Sequence, residues 1–308
     1  VILLIGIPTY IYINNKIQEN LYTSKVNELL AKGEEYAEET GLFAFSVNTL
    51  IEEGKVSSDN ESGQILDPRD KRKMNCDIIR VVYENNQYDA SYYINDTCLS
   101  DEELNDQYGM FNIIAKNKEG DIISDYNEWH NITEYYLTYQ LKEEYQNFEG
   151  NILSVTWAGE GDKTCLQDNL EECKTYLVAA TSVKRTTIVL KIEMNINDTV
   201  LSTTYKANLQ MDNESPILVS ESMIYDNSIL TTEKRKVMFE ISDNLGSGVA
   251  SYSLSPNKEC DHYKESHDGI QTEYLDNGEY YLCIKDKVGL ETSYFDDNDK
   301  IIITNVDN

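Results

Sequence analysis

The chain opens with an uncharged apolar segment, Val1–Ile13, which contains one proline and is followed at once by a charged amphipathic stretch. The segment is shorter than the roughly 20 apolar residues that a membrane-spanning helix needs. It also lacks the basic n-region and the cleavage site of a signal peptide. We therefore expect a partner for it, either further apolar sequence ahead of Val1 or copies of the same segment in other subunits. A signal anchor or a buried core helix is the alternative interpretation.

A long helix is predicted for this N-terminal region. From Lys16 onward apolar residues recur mostly at helical spacing, and charged residues fill the other face. The pattern predicts one helix from the start of the chain to about Glu39, with Gly41 as its C-terminal stop. Pro8 has no amide proton and clashes with the preceding turn, and Gly6 makes a deformation easier. We therefore expect the helix to break or kink between these two residues.

A small head is predicted to follow the long helix. Residues 46–53 have the pattern of a short second helix, with a serine or asparagine as its N-cap and Gly54 as its stop. Two strands are predicted at Asp77–Tyr83 and Asp89–Ile94, and the Glu-Asn-Asn-Gln sequence between them favours a hairpin turn.

The six cysteines fall into three neighbouring pairs, one for each structural region that the sequence outlines. An even number of cysteines outside the cytoplasm is typical of disulfides, and six cysteines allow fifteen connectivities. Pairing between neighbours needs no crossing between regions, and we predict it. Zinc is the alternative, for which Cys260-Asp261-His262 offers a start, but no pair has the CxxC spacing of a zinc ribbon. The predicted disulfides are Cys76–Cys98, Cys165–Cys173 and Cys260–Cys283.

Residues 108–212 change to short runs of β-favouring residues separated by polar turns. Such regular short strands predict an all-β sandwich. Cys165 and Cys173 are expected in a polar loop between strands, which their disulfide would pin. The predicted strands are Met110–Ala115, Tyr135–Leu141, Ile152–Trp157, Tyr176–Val183, Thr187–Met194 and Val200–Leu209.

Residues 213–308 carry a third pattern. A linker-like Asp212-Asn213-Glu214-Ser215-Pro216 is followed by Ser242-Asp243, then Gly246-Ser247-Gly248-Val249, and later by Gly278-Glu279-Tyr280 leading to Asp286 and Gly289. This order resembles the immunoglobulin-like modules of bacterial surface proteins, although the spacing is only approximate. The resemblance implies a β-sandwich that functions as a binding or display module. Its predicted strands are Lys236–Ile241, Ala250–Leu254 and a closing strand Lys300–Thr304.

The first hundred residues resemble type IV pilins and the pseudopilins of type II secretion. Gly6, Ile7 and Pro8 match the helix-kinking stretch of that family, and Asn14-Asn15-Lys16 match its polar exit. The processing site and the first-turn glutamate of the family are absent here, so the resemblance implies further residues ahead of Val1. It also implies that the apolar helix packs against other subunits. The implied packing residues are Val1, Ile2, Leu3, Leu4, Ile5, Gly6, Ile7, Pro8, Tyr10, Ile11, Tyr12 and Ile13.

These observations predict an α+β chain with three domains. Residues 1–107 form the stalk helix and a small pilin-like head, residues 108–212 form a β-sandwich, and residues 213–308 form an immunoglobulin-like sandwich. Length supports the division, since 308 residues are enough for two or three domains.

Charge and motifs limit the function. The net charge is -29, with 55 acidic against 26 basic residues, which argues against binding nucleic acid or anionic membranes. The sequence has no G-x-S-x-G, H-E-x-x-H, P-loop or Rossmann glycine pattern, and Trp129-His130 is expected in a solvated or partly packed polar loop. We therefore predict that the chain is not an enzyme and holds no cofactor.

One acidic turn is a candidate calcium site. Asp296, Asp297, Asn298 and Asp299 supply oxygens at the density that Ca²⁺ requires, but the glycine and the distal glutamate of an EF-hand are missing. A solvated acidic turn is the alternative. With the loop Ser255–Ile270, this turn is where we expect a surface or host ligand to bind, since binding on such scaffolds is usually carried by loops.

The predicted function is that of a structural subunit of an extracellular filament related to type IV pili. Homo-oligomerisation through bundled N-terminal helices would form a helical polymer, with the β-domains displayed outside. The implied partners are other copies of the chain and the pilus assembly machinery in the membrane, where the subunit would reside before assembly. A minor pilin or a membrane-anchored surface adhesin is the alternative.

Overall fold

The structure is a computed structural model that describes residues 2–84, 87–146, 148, 150–219, 224–296 and 299–307; for residues 2–11 and 102 it describes the backbone alone. The chain divides into two compact units, each made of three segments. Unit 1 comprises residues 1–114, 137–176 and 188–207, and unit 2 comprises residues 115–136, 177–187 and 208–308. The three-domain division stays a prediction.

The helices and strands follow the order of a long helix and then many strands. The helices are α1 (Ile2–Thr40), α2 (Val47–Glu52) and α3 (Asp101–Tyr108), with 3₁₀ turns at Glu143–Tyr145 and Gln167–Cys173. The strands are β1 (Ala44–Ser46), β2 (Ile78–Glu84), β3 (Gln87–Tyr93), β4 (Phe111–Lys116), β5 (Ile122–Ile123), β6 (Trp129–His130), β7 (Glu134–Leu141), β8 (Asn151–Ala158), β9 (Lys163–Leu166), β10 (Thr175–Ala179), β11 (Lys184–Ile196), β12 (Thr199–Met211), β13 (Ile217–Leu218), β14 (Arg235–Ser242), β15 (Val249–Ser255), β16 (Lys264–Glu265), β17 (Gly269–Leu275), β18 (Gly278–Asp286), β19 (Glu291–Tyr294) and β20 (Ile301–Ile303).

The long helix α1 ends as the sequence predicts. The amide of Gly41 donates to the carbonyl of Ala37 at 2.9 Å and so closes the last turn. The helix continues through Gly6 and Pro8 without interruption, so the predicted break there is wrong. Pro8 is the seventh residue of α1, so its ring costs the helix one interior hydrogen bond without ending it. A kink without a break is untested by these helix bounds and stays a prediction.

The C-terminal half of α1 packs on the antiparallel sheet β1-β2-β3. Leu29, Tyr36 and Ala37 are buried in this contact. Gly33 allows the close approach of the helix to β2, because a Cβ atom there would lie 2.6 Å from Cγ2 of Ile79. A helix seated on a small sheet is therefore the frame of unit 1.

The other elements of the head match the prediction, with one addition. Ser46 caps α2 by accepting from the amide of Thr49 at 3.2 Å, and β2 and β3 form the predicted hairpin. Its turn residues Asn85 and Asn86 lie outside the described residues. The additional element is α3, which begins with a capping box between Ser100 and Glu103.

The middle of the chain is β-rich, as predicted, and forms two sheets. Their strand orders are β10-β7-β4-β5 and β6-β12-β11-β8-β9. Two details of the prediction are wrong. Cys165 lies in strand β9 instead of a loop, since its run of residues pairs with β8. Trp129-His130 forms the short strand β6, which pairs in parallel with the end of β12.

The C-terminal part of unit 2 is a β-sandwich. One sheet has the order β13-β14-β17, and the other has the order β16-β15-β18-β19, with β20 paired to β18. Alternate side chains of both sheets meet in one core. Its fully buried members include Val237, Phe239, Ile241, Val249, Leu282, Ile284 and Ile301.

All three predicted disulfides are present: Cys76–Cys98, Cys165–Cys173 and Cys260–Cys283. The first two lie within unit 1 and the third within unit 2. No cysteine is free. Each bridge joins neighbouring cysteines within one unit, as the sequence predicts.

Within the part of the chain that the structure describes, no helix combines the length and the apolar character needed to cross a bilayer.

Candidate functional site

Two features of the structure are candidates for function: apolar side chains that are exposed to solvent, and carboxylates that are buried. The first is an apolar stripe on the exposed part of α1. Tyr12, Ile13, Ile17 and Leu21 are exposed by between 50 and 67%. The last three are spaced four residues apart, so they lie along one face of the helix. We call Ile13, Ile17 and Leu21 the α1 stripe.

The α1 stripe precedes the part of the helix that packs on the head. The first contacts of α1 with the 59–72 loop are polar: Lys25 pairs with Asp59, and Arg69 lies 3.3 Å above the ring of Tyr22 and 3.6 Å from Glu19. Full burial of the apolar core begins only at Leu29. Among the described residues of unit 1, none therefore buries the stripe. Of the packing residues implied by the pilin resemblance, Tyr12 and Ile13 are seen exposed, Val1 lies outside the described residues, and the side chains of Ile2–Ile11 are not described.

The second feature is a cluster of three buried aspartates in unit 2. Asp212 follows β12, Asp243 follows β14 and Asp286 ends β18. All three side chains are at most 2% exposed. One carboxylate oxygen from each lies within 4.8 Å of the oxygens of the other two. We call these residues the aspartate triad.

Backbone amides orient each carboxylate of the triad. Asp212 accepts from the amide of Ser247 at 2.7 Å, Asp243 from that of Gly248 at 2.6 Å, and Asp286 from that of Leu290 at 2.8 Å. Two oxygens are left over, since Asp243 Oδ1 and Asp286 Oδ2 are buried and have no hydrogen-bond partner among the described residues.

Position 246 shows how tightly the carboxylates converge. A Cβ atom on Gly246 would lie 2.6 Å from Oδ2 of Asp212 and 2.6 Å from Oδ2 of Asp243. Only glycine leaves room for both oxygens without a shift of the loop. The Gly246-Ser247-Gly248 segment therefore makes room for the carboxylates of Asp212 and Asp243 and donates an amide to each of them.

Burial and the neighbouring charges raise the pKa values of Asp243 and Asp286. Desolvation by burial, helped by the charges of Asp212 and Asp286, raises the pKa of Asp243 to about 7, against the opposing hydrogen bond from Gly248. Burial also raises the pKa of Asp286, and the charge of Asp212 adds to the effect. The site therefore holds more negative charge than its surroundings stabilise.

All three aspartates lie in segments that the sequence analysis singled out, but no role was predicted for them. They belong to the linker-like segment, to the Ser-Asp…Gly-Ser-Gly-Val segment and to the Tyr…Asp…Gly segment of the immunoglobulin-like pattern. The recurrence of aspartate in the three motif segments was the available signal. Their meeting in space depends on the pairing of distant strands, which no local pattern encodes.

The predicted acidic turn looks different from the triad. Asp296 and Asp299 are exposed, and the amide of Asp299 donates to the carbonyl of Asp296 at 3.0 Å. Asp297 and Asn298 lie outside the described residues. Calcium binding by this turn stays a prediction.

None of the three histidines belongs to the group of close ligand atoms that the triad forms, although the amide of Asp212 donates to the carbonyl of His130 at 2.9 Å. His130 is half-buried, and its Nε2 lies 2.7 Å from the carbonyl oxygen of Asp125. His262 and His267 are exposed in the Ser255–Ile270 segment, which contains the short strand β16. The hydroxyl of Ser266 donates to the backbone carbonyl of His267 at 3.5 Å, and within the described part of the chain none of the three imidazole rings is hydrogen-bonded to a serine hydroxyl.

A small open groove of about 350 Å³ lies beside the Asp243 loop. Its lining residues all belong to unit 2: Val183, Arg185, Asn244, Leu245 and Gly246. Arg185 also lies 4.6 Å above the ring of Trp129, and Leu245 is 80% exposed. An exposed leucine next to a cation held on an indole offers apolar and charged contacts to a ligand.

Comparison with known proteins gives little identity. No protein-family model matches the chain, and no curated protein sequence matches it. Fibronectin(III)-like modules of CbhA from Clostridium thermocellum align with 12% identity over 57% of this chain and 89% of theirs, with a TM-score of 0.25. The glucan-utilisation protein SGBP-B from Bacteroides ovatus, solved with a mixed-linkage heptasaccharide, aligns with 18% identity over 58% of this chain and 42% of its own, with a TM-score of 0.17. TM-scores this low do not establish a shared fold.

Proposed function

We propose that the chain is a structural subunit of an extracellular, pilus-like filament, which assembles through the N-terminal half of α1 and displays its β-rich part outside. The observation that carries the proposal is the exposed α1 stripe. An amphipathic helix in a monomeric protein turns its apolar face to its own core. Here that face is turned to the core only from Leu29 onward.

Other copies of the same helix are the occupant that we propose for the stripe. From Ile13 to Leu21 the stripe covers about 12 Å of helix at 1.5 Å per residue, and its four-residue spacing suits helix bundling. Burying the exposed halves of its side chains would contribute about 1 kcal/mol each. Repeated along a helical polymer, such contacts stabilise a filament.

The disulfides and the charge support an extracellular location for this filament. Bridges persist in oxidising surroundings, and all six cysteines are bridged. A net charge of -29 keeps displayed domains soluble and apart. The proposal includes a non-enzymatic role, a stage at the cytoplasmic membrane before assembly, and contact with pilus assembly machinery there.

A surface-anchored binding protein or minor pilin is the second candidate. The groove beside Leu245 and Arg185 favours it, because loops that present such side chains are common places for ligand binding. In this case α1 would anchor single molecules, and the β-rich part would bind a surface or host ligand.

Assembly of the full chain separates the two candidates. Electron microscopy and sedimentation would compare the wild-type chain with an Ile13→Lys/Ile17→Lys variant. The matched control, Asn14→Lys/Gln18→Lys, adds the same two charges one residue along, on the neighbouring face. We expect filaments or large oligomers from the wild type and the control, and single chains from the stripe variant. Single chains in all three samples would contradict the filament and favour the anchored protein.

A further inference from the structure

We propose that Asp212, Asp243 and Asp286 bind one divalent cation, Ca²⁺, inside unit 2. This site is separate from the α1 stripe and from the acidic turn at Asp296–Asp299. The inference concerns the β-rich part of the chain, and it holds whether or not α1 forms filaments.

The first step is a comparison among buried aspartates. Five aspartates are buried among the described residues. Two of them have arginine partners: Asp67 pairs with Arg69 at 2.8 Å, and Asp77 pairs with Arg72 at 2.7 Å. The other three are the triad, and no lysine, arginine or histidine of the described chain forms an ion pair with them. A buried charge without a counter-charge is strongly unfavourable.

The second step concerns the two unpartnered oxygens. Backbone amides donate to both oxygens of Asp212 and to one oxygen each of Asp243 and Asp286, and this fixes the direction of the three carboxylates. Asp243 Oδ1 and Asp286 Oδ2 stay buried without a donor. Metal ligands are held in this way, with one atom hydrogen-bonded to the surrounding protein and the other free for the ion.

The third step selects the ion. The site offers carboxylate oxygens and no imidazole or thiolate, which favours a hard cation over zinc or copper. Ca²⁺ binds oxygen at about 2.3–2.6 Å, so two ligands on opposite sides of the ion are at most about 5 Å apart. The triad oxygens, all within 4.8 Å of one another, meet this limit. Mg²⁺ demands a shorter, near-octahedral shell and gives up its water reluctantly.

The fourth step is the place of the triad in the fold. Its members come from the end of β12, the loop after β14 and the end of β18. A single ion would therefore tie together three segments that are far apart in the chain. It would also hold the Asp243–Gly248 loop, whose Asn244 and Leu245 line the groove.

Calcium titration of the metal-stripped full chain tests the proposal. Isothermal titration calorimetry should find one Ca²⁺ per chain with a dissociation constant around the 10⁻⁴–10⁻³ M of extracellular modules. Asp286→Asn should weaken binding at least about tenfold, Mg²⁺ should bind more weakly than Ca²⁺, and the control Asp299→Asn should bind as the wild type does. Binding that is lost in Asp299→Asn and kept in Asp286→Asn would overturn the proposal and assign the ion to the acidic turn.

Thermal unfolding of Asp243→Asn separates a cation site from a shared proton. In chelator the variant should melt at or above the wild-type temperature, because one buried charge has gone. In 10 mM Ca²⁺, a concentration of about ten times the weaker expected dissociation constant, it should melt below the wild type, because the ligand has gone. A wild-type melting temperature unmoved by Ca²⁺ would overturn the proposal and leave a triad neutralised by protons.

Discussion

Buried aspartates are handled in opposite ways in the two units of this chain. In unit 1, Asp67 and Asp77 are completely buried, and an arginine fork covers each of them. In unit 2, the aspartate triad is equally buried, and among the described residues it has backbone amides but no cationic side chain as ion-pair partner. The difference is visible in the pKa values: the hydrogen bond from Arg69 lowers the pKa of Asp67, whereas burial raises that of Asp243 to about 7. Unit 1 therefore supplies an arginine to each of its buried aspartates. In unit 2 the proposed Ca²⁺ would supply the positive charge instead.

The helix α1 shows the same contrast for apolar groups. Its C-terminal half buries Leu29, Tyr36 and Ala37 against the head, and its N-terminal half leaves the α1 stripe in water. Apolar side chains are thus buried in the C-terminal half of α1 and exposed in its N-terminal half, and buried aspartates have arginine partners in unit 1 but not in the triad. We take the exposed stripe and the triad each as the position of a partner: further helices for the stripe and a cation for the triad.

The largest expected effect is on the paired side of the comparison. Arg72→Met would leave Asp77 buried without its counter-charge, and we expect a loss of about 3–5 kcal/mol in the free energy of unfolding. Urea denaturation measures it. The double variant Arg72→Met/Asp77→Asn should recover part of the loss, because the uncompensated charge is gone. Equal losses in the single and double variants would mean that the ion pair is not what makes Arg72 important.

A buried lysine gives an intermediate effect with a defined pH window. Lys142 is 8% exposed and donates to the carbonyl of Gln107 at 2.9 Å, and burial lowers its pKa from 10.5 to about 8. Between pH 8 and 10.5 the unfolded chain holds this proton and the folded chain does not, so stability should rise with pH, by up to about 3 kcal/mol. Lys142→Met should remove that rise in urea titrations at a series of pH values. An identical pH slope in both proteins would contradict the assignment.

The smallest expected effect is on the unpaired side. In chelator at pH 8, Asp243→Asn should raise the free energy of unfolding by about 1 kcal/mol, since it removes repulsion from Asp212 and Asp286. Asp77→Asn, the matched change on the paired side, should lower it, because Arg72 loses its partner. Opposite signs for the two substitutions would sharpen the comparison between the units. The same sign for both would break it.

Much of this architecture was predictable because it depends on residues that lie close together in the sequence. The end of α1, the α2 cap, the β2–β3 hairpin and the disulfides all depend on residues close in sequence, where period and turn chemistry are informative. The helix α3 was missed although Ser100 and Glu103 form a recognisable capping box.

The aspartate triad was not predictable in the same way. Asp212, Asp243 and Asp286 belong to segments with a recognisable pattern, but the loop and the two strand ends that carry them meet only through long-range pairing in unit 2. The acidic turn at Asp296–Asp299 attracted the calcium prediction because its residues are adjacent. Adjacent acidic residues are usually solvated, whereas the triad collects its buried carboxylates from three separate segments.

A crystal structure of the full chain grown in calcium tests the central claim most directly, since it locates the partner that the triad lacks. The account predicts a metal peak at about 2.3–2.6 Å from carboxylate oxygens of Asp212, Asp243 and Asp286, with Asp243 Oδ1 and Asp286 Oδ2 among its ligands. Triad oxygens in direct hydrogen-bonding contact, with no metal peak between them, would contradict it.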